Sequence, residues 1–394
     1  MLGLYLHLPF CSQHCTYCPF AISTDLALQA EYTDALIREV QFAGVQLAAR
    51  SAQMAGTPVS CELRELETVS CELTAASREL SSIYLGGGTP SRTSLENLTR
   101  IFAAIRTRFH VAANAEISME SNPEDYVEGA LQSWRSIGVN RISIGVQSFE
   151  DAELAAISRV HDRAQAIDAV RTAVESGARV SLDLMLGLPG QTGDSVRRTL
   201  DTAIDLGAGH LSLYMLDLEE RTPLQVQVAR GRVALPEDDL VADLYLEAIE
   251  RLAAAGLEQY EISNFAREGE RCVHNLRYWT RGEYLGLGLA AHSFVDGRRF
   301  ANTRDIRAYI ATSPNAGDFS EELGPGEIQR ETIFLQLRQT SGMCYEDLVR
   351  LCGQEGIAWM ERGLEGGWLR RVNGRVAFTP AGFLQSNDFI SQLF

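Results

Sequence analysis

The chain has 394 residues, 45% hydrophobic and 22% charged, with a formal net charge of −17. This is an ordinary globular composition with room for two or three domains. The acidic balance argues against nucleic-acid backbones as general partners, and no uninterrupted apolar run reaches the ~18 residues of a membrane span.

The first predicted strand, Gly3–Pro9, runs into Cys11, Cys15 and Cys18, a C-x3-C-x2-C triplet. Three thiolates can hold three irons of a 4Fe-4S cluster and leave the fourth iron open to a small molecule. Thiolate suits zinc as well, although a structural zinc wants a fourth Cys or His, and His14 inside the loop is the residue on offer. The remaining cysteines, Cys61, Cys71, Cys272, Cys344 and Cys352, are scattered singles. The N-terminus lacks a basic leader and a small-residue cleavage site. Both features point to a reducing compartment, the cytoplasm, and away from a disulfide framework.

Beyond the triplet, strand-like and helical periods alternate. Strands are expected at Ser82–Gly86, Glu116–Ser121, Arg141–Gln147, Val180–Leu186 and His210–Leu216. Helices are expected at Glu31–Leu47, Leu95–Phe109, Val127–Ile137, Asp151–Ile157, Ala164–Ser176 and Asp194–Leu206. This rhythm predicts an α/β fold with a parallel sheet and helices outside it, as an open sheet or a partial barrel. Ligands in such folds sit at the C-terminal strand ends. Those ends carry the cysteines, then Gly86-Gly87-Gly88-Thr89-Pro90, Glu120, Gln147, Asp183 and, on the sixth strand, Tyr214 and Met215. Each has a plainer reading: a glycine run is often only a turn, and an acidic strand end often only caps the next helix. Their convergence on one rim carries the functional reading.

The stretch from Arg50 to Ser77 breaks the rhythm. It holds Val59-Ser60-Cys61-Glu62-Leu63, repeated as Val69-Ser70-Cys71-Glu72-Leu73, and reads as a surface insertion made by a short duplication. Residues 326–394 read as a small separate unit, with helices at Ile328–Leu337, Tyr345–Leu351 and Ile357–Leu364 and a hairpin turning at Asn373-Gly374. Helices followed by a hairpin suggest a winged-helix-like module. Its basic residues are chiefly Arg370, Arg371 and Arg375, too few for nucleic-acid readout.

The motifs Tyr5-x-His7-x-Pro9-Phe10-Cys11, the cysteine triplet, Gly86–Pro90, Glu120-x-Asn122-Pro123, Gly145–Phe149, Arg159 and Asp183–Thr192 make the chain resemble radical S-adenosylmethionine (SAM) proteins. The resemblance is to the branch with oxygen-independent coproporphyrinogen III oxidase and its haem-chaperone relative. It implies a partial (β/α)6 barrel over residues 1–225, a haem-associated extension over 226–325 and the C-terminal α+β unit. It implies that Cys11, Cys15 and Cys18 ligate the 4Fe-4S cluster and that SAM chelates the open iron. Gly87, Gly88 and Thr89 would lie against the methionine moiety. Glu120, Gln147, Arg159 and Asp183 would hold the carboxylate, sulfonium side and ribose between them. Tyr17 would stand near the adenine, and Tyr5 belongs to the same set. The cofactors would supply one-electron cleavage of SAM, given an electron donor, while the protein positions them and excludes water.

Two departures favour the chaperone branch. The oxidase pattern has a fourth cysteine two residues after the third, where this chain has Phe20, and a long N-terminal arm that this chain lacks before Cys11. In the second half, Cys272-Val273-His274-Asn275-Leu276-Arg277-Tyr278-Trp279 matches the His-Asn-x-x-Tyr-Trp segment of the chaperones. His274 is the implied haem ligand, with Cys272 as a second ligand or attachment point and His292 as a further candidate. A His beside Tyr and Trp is, on its own, more often simply packed. The expected function is a haem chaperone that passes haem to an acceptor protein, in peripheral contact with membrane-bound haem proteins. The alternative is a radical enzyme that decarboxylates coproporphyrinogen III. A homodimer is compatible with the sequence.

Overall fold

The structure is a computed structural model and describes residues 1–54 and 78–393. The repeated Val-Ser-Cys-Glu-Leu segments, with Cys61 and Cys71, lie outside the described residues. Six strands pair in parallel in chain order: β1 (Leu2–Leu8), β2 (Glu79–Gly87), β3 (His110–Ser121), β4 (Arg141–Gln147), β5 (Arg179–Leu186) and β6 (His210–Met215). Between them run α1 (Gln29–Met54), α2 (Leu95–Arg108), α3 (Ala130–Ser136), α4 (Asp151–Ala156), α5 (Arg163–Glu175) and α6 (Gly193–Asp205). The α/β partial barrel is therefore the fold, and its sheet is not closed, because β1 and β6 pair with further strands instead of with each other.

Local chemistry explains the elements. Ser94 caps α2 by accepting the Asn97 N–H, and Leu98, Ile101, Phe102 and Ile105 then recur on one buried face. Asp162 and Gln165 form a capping box that starts α5. Strand residues alternate between faces. Leu2, Leu4, Leu6 and Leu8 of β1 join the apolar core. The opposite face carries polar side chains in matching register: Ser82 beside Glu116, Ser118 beside Arg141, Ser143 beside Ser181, and Asp183 beside Ser212. A packed barrel would fill that space with aliphatic side chains; here it is a polar lumen.

Two boundaries differ most from the sequence expectation. β3 begins at His110 and not Glu116, and α1 runs on to Met54, into the stretch read as an insertion. The extension does not form a separate layer. β7 (Glu258–Gln259) and β8 (Asn264–Ala266) continue the β6 edge. β9 (Tyr284–Leu287), β10 (His292–Val295), β11 (Arg298–Asn302) and β12 (Gly317–Glu322) continue the β1 edge, making a mixed sheet of 12 strands among the described residues. α7 (Pro223–Ala229) straddles the boundary read at residue 225, and α8 (Asp238–Ala254), α9 (Val273–Trp279) and α10 (Ile306–Thr312) follow.

The C-terminal unit has α11 (Pro325–Leu337), α12 (Tyr345–Glu365), α13 (Pro380–Leu384) and α14 (Ser386–Ser391) around a small sheet. That sheet orders β13 (Met343–Cys344), β15 (Arg375–Phe378) and β14 (Leu369–Val372). The two helices expected over 345–364 are one run broken at Gly353, whose φ is 59° and ψ −140°. Trp359 stacks on Phe389 at 4.6 Å in its core.

Candidate functional site

The site begins where β1 ends. The Cys11 N–H donates to the Ser23 carbonyl at 3.0 Å and the Ser23 N–H to the Pro9 carbonyl at 2.7 Å, which closes residues 11–22 into a loop over the strand ends. His7 pins that loop: Nε2 donates to the Ala21 carbonyl at 2.8 Å while Nδ1 accepts from the Tyr5 hydroxyl at 3.1 Å. Burial pushes His7 down to about 4, so it is neutral. The glycine run follows from crowding beside this histidine. Gly87 has φ 118°, and a Cβ there would stand 2.8 Å from the His7 ring. A Cβ on Gly88 would stand 2.6 Å from the Pro9 carbonyl and 3.0 Å from Cys11 Sγ. Close approach, beyond a mere turn, demands these glycines.

Cys11, Cys15, Cys18, Tyr17, Gly87, Gly88, Thr89, Glu120, Gln147, Arg159 and Asp183 line one cavity of about 480 Å³. Tyr5 stands behind its wall, stacked on Tyr84 at 6.2 Å. The Tyr84 hydroxyl donates to Glu120 at 2.9 Å, and the Gly87 N–H does so at 3.1 Å. Burial, reinforced by the neighbouring Asp183, pushes Glu120 up to about 7. Burial raises Asp183 too, although it accepts the Ser143 hydroxyl at 3.1 Å. Arg159 bridges two strand ends, donating to Asn122 Oδ1 at 2.7 Å and to the Gly145 carbonyl at 2.6 Å, with Nη1 3.8 Å from Cys15 Sγ. Its Nε is buried without a partner in the protein. Gln147 reaches the cavity because its backbone is left-handed (φ 67°) at a register shift between β4 and β5.

This donor set fits a 4Fe-4S cluster. Three thiols share one cavity, and a guanidinium lies beside one of them. Burial pushes the Cys11 thiol up to about 11, so metal binding there must displace a proton. Among the described residues, no three His, Cys, Asp or Glu side chains converge on a point that a single ion could occupy. Three thiolates suit a cluster with one open iron, whereas a structural zinc wants a fourth Cys or His. His14 is turned to the Cys18 carbonyl, 3.0 Å from Nε2.

The model of the radical SAM superfamily matches residues 5–203. The heme chaperone HemW of Mycobacterium tuberculosis is 34% identical over 99% of this chain and 94% of the relative. HemW of Bacillus subtilis is 33% identical over 98% of each. The chain belongs to the HemW family of radical SAM proteins. In the solved structures, coproporphyrinogen III oxidase (HemN) of Escherichia coli, a radical SAM enzyme, matches all of this chain and 89% of its own with a TM-score of 0.79. At 22% identity that is a likeness of fold.

The motifs shared with the radical SAM family do not include Arg141, Ser143, Ser181, His210 and Ser212, yet all five line the same cavity. The readable signal for them is a polar residue at every second position of strands whose other face is aliphatic.

The His274 and Cys272 side chains of the HemW-like segment pack inside the fold. His274 is fully buried, its ring stacked on Tyr84 at 5.2 Å. Nδ1 lies 3.0 Å from the Ser82 hydroxyl and Nε2 2.9 Å from the Tyr278 hydroxyl, so both ring nitrogens are engaged. Burial pushes it down to about 3. Cys272 is equally covered, with its thiol 3.5 Å from Glu116 and pushed up to about 11 by burial. Neither side chain lines the cavity of the cysteines, and His292 is exposed on β10. In the tail, Arg371 covers the Tyr345 ring at 4.8 Å, and Arg375 donates to the Ser341 and Gly342 carbonyls. These two arginines are thus partly committed within the fold.

Proposed function

We propose that the protein is a haem chaperone: it binds haem and passes it to an acceptor protein, and carries a 4Fe-4S cluster on Cys11, Cys15 and Cys18 with SAM at the open iron. The observation that carries this reading is the match of nearly the whole chain, barrel and C-terminal unit alike, to heme chaperones at 33–34% identity. Phe20, at the rim of the cavity where the oxidase pattern has a further cysteine, supports it.

Bound together, the cluster and SAM would supply one-electron cleavage chemistry. The chain's own residues prepare the place. Gly87 and Gly88 offer bare backbone to the methionine moiety, and Thr89 stands 3.5 Å from Cys11 Sγ. Arg159 holds the β3 and β4 ends together beside Cys15. Glu120, Gln147, Arg159 and Asp183, which share the cavity, would hold the carboxylate, sulfonium side and ribose of SAM between them, and Tyr17 would stand near the adenine. Among the described residues no helix is long and apolar enough to cross a membrane. We place the protein in the cytoplasm, where it would meet membrane-bound haem proteins peripherally.

The alternative, decarboxylation of coproporphyrinogen III, draws on the shared HemN fold, and a fold does not name a substrate. Anaerobic titration of the cluster-reconstituted protein with haem, followed at the Soret band, tests the proposal. Saturation at a single haem per chain is expected. No saturable binding, together with turnover of coproporphyrinogen III under reduction, would replace the chaperone by the oxidase.

A further inference from the structure

A second cavity of about 860 Å³ lies beside the first, between the end of β6, α9 and the C-terminal unit. That volume is within the range of small-molecule and cofactor sites. Aromatic side chains form part of its wall: Tyr278 and Trp279 come from α9, Phe334 from α11 and Phe383 from α13, with polar residues such as Asp217, Asn264 and Asn275 between them. Arg338, at the end of α11, lies over the Phe334 ring at 3.9 Å and donates to Asn387.

Two polar atoms of this wall are buried without a partner. One is a donor, Arg338 Nε, and the other an acceptor, Asn264 Oδ1, on a residue only 4% exposed. Such atoms are costly to leave unpaired, and a guest that meets them removes the cost. The nearby Glu261 carboxylate is already engaged by the Ser263 N–H at 3.0 Å and by the Asn264 amide. Asp217 lines the end of the slot shared with the first cavity, and Arg338 is the one cation among the lining residues. Aromatic side chains beside one cation suit a flat apolar ring that carries a carboxylate.

We propose that haem binds in this slot, with a propionate on Arg338 and its ring against Trp279 and Phe334, and not on the His274 imidazole. The inference rests on the haem-chaperone reading and assigns its site. It also accounts for the His-Asn-x-x-Tyr-Trp segment. His274 anchors α9 from behind through Ser82 and Tyr278, while Asn275, Tyr278 and Trp279 form the wall. Tyr214, Asp217 and Asn275 line both cavities, so the ring edge stands next to the lumen of the radical SAM site.

The test is an anaerobic titration of the full-length, cluster-reconstituted protein with haem and with haem dimethyl ester, whose propionates are blocked. Arg338→Gln weakens haem binding roughly tenfold to a hundredfold, the loss of one charge-assisted contact. The ester binds wild type and Arg338→Gln alike. Leu335→Trp, which fills the slot, blocks both ligands, and His274→Gln, which keeps hydrogen-bonding capacity, leaves the Soret position unchanged. Melting temperatures report whether each variant is folded. Wild-type haem affinity in both Arg338→Gln and Leu335→Trp overturns the slot while leaving haem binding intact, as does a shifted Soret band in folded His274→Gln. No haem uptake by the wild type overturns the chaperone reading itself.

Discussion

The Glu116 carboxylate accepts the backbone N–H of His274 at 3.0 Å, so an inward-facing residue of β3 caps the helix that carries the His-Asn-x-x-Tyr-Trp segment. The same carboxylate accepts the Val273 N–H at 3.1 Å and pairs with Arg179 at 3.2 Å. The segment is thereby built into the wall of the barrel.

His274→Ala leaves the Ser82 and Tyr278 hydroxyls without their buried partner and opens a void beside Tyr84. The expected loss is about 2–4 kcal/mol in urea unfolding of the apoprotein. His274→Gln recovers part of it. An unchanged unfolding midpoint in the alanine variant would remove the anchoring role.

Gly88→Ala places a methyl group 2.6 Å from the Pro9 carbonyl and 3.0 Å from Cys11 Sγ. The neighbour is backbone and cannot swing aside, so the cysteine loop must move. We expect the variant to fold yet retain little iron after anaerobic reconstitution. Full iron and sulfide content per chain would refute the crowding argument.

Single Cys→Ser changes at Cys11, Cys15 and Cys18 each remove one of three thiolate ligands. Each is expected to abolish stable cluster uptake while far-UV circular dichroism stays native. The same change at Cys272 is expected to leave iron content untouched, because that thiol is buried against Glu116. Iron and sulfide assays on the four variants distinguish the triplet from the fourth position.

Glu39, on α1, is buried where it accepts the Gly288 N–H at 2.8 Å, the Asn302 amide at 2.7 Å and the Tyr309 hydroxyl at 2.5 Å. Burial pushes it up to about 7, from an ordinary value of 4.5. Its protonated form is thus favoured by folding: the contribution is complete below the ordinary carboxylate range and is lost as pH rises through about 7. His7 and His274, held down by burial, act in the opposite sense, losing stability as pH falls below the usual histidine range. The difference between Glu39→Gln and wild type isolates the carboxyl. It is expected to move on the order of 3 kcal/mol in favour of the variant as pH rises across that window. Parallel urea midpoints for the two proteins at all pH values would contradict it.

Arg159→Lys keeps the charge but cannot bridge the Asn122 and Gly145 oxygens as the guanidinium does. We expect SAM affinity of the reconstituted protein to fall roughly tenfold, with cluster content retained. Equilibrium dialysis with SAM measures it, and wild-type affinity would show that Arg159 does not shape the site.

The sequence by itself determined what depends on local spacing. The βα rhythm, the C-x3-C-x2-C triplet, the glycine run and the acidic strand ends are legible because strand and helix periods, turn chemistry and ligand spacing act over a few residues. The tertiary structure decided the rest. Strands β7 to β12 are two to six residues long, so their local signal is weak, and their place on the two sheet edges comes from the long-range pairing of β8 with β6 and of β9 with β1. A histidine between a cysteine and a tyrosine reads the same whether it faces an iron or packs beneath a barrel. Only the fold places Ser82, Tyr84, Glu116 and Tyr278 around His274, and leaves Arg338 and Asn264 with unmatched hydrogen-bonding atoms on the cavity next door.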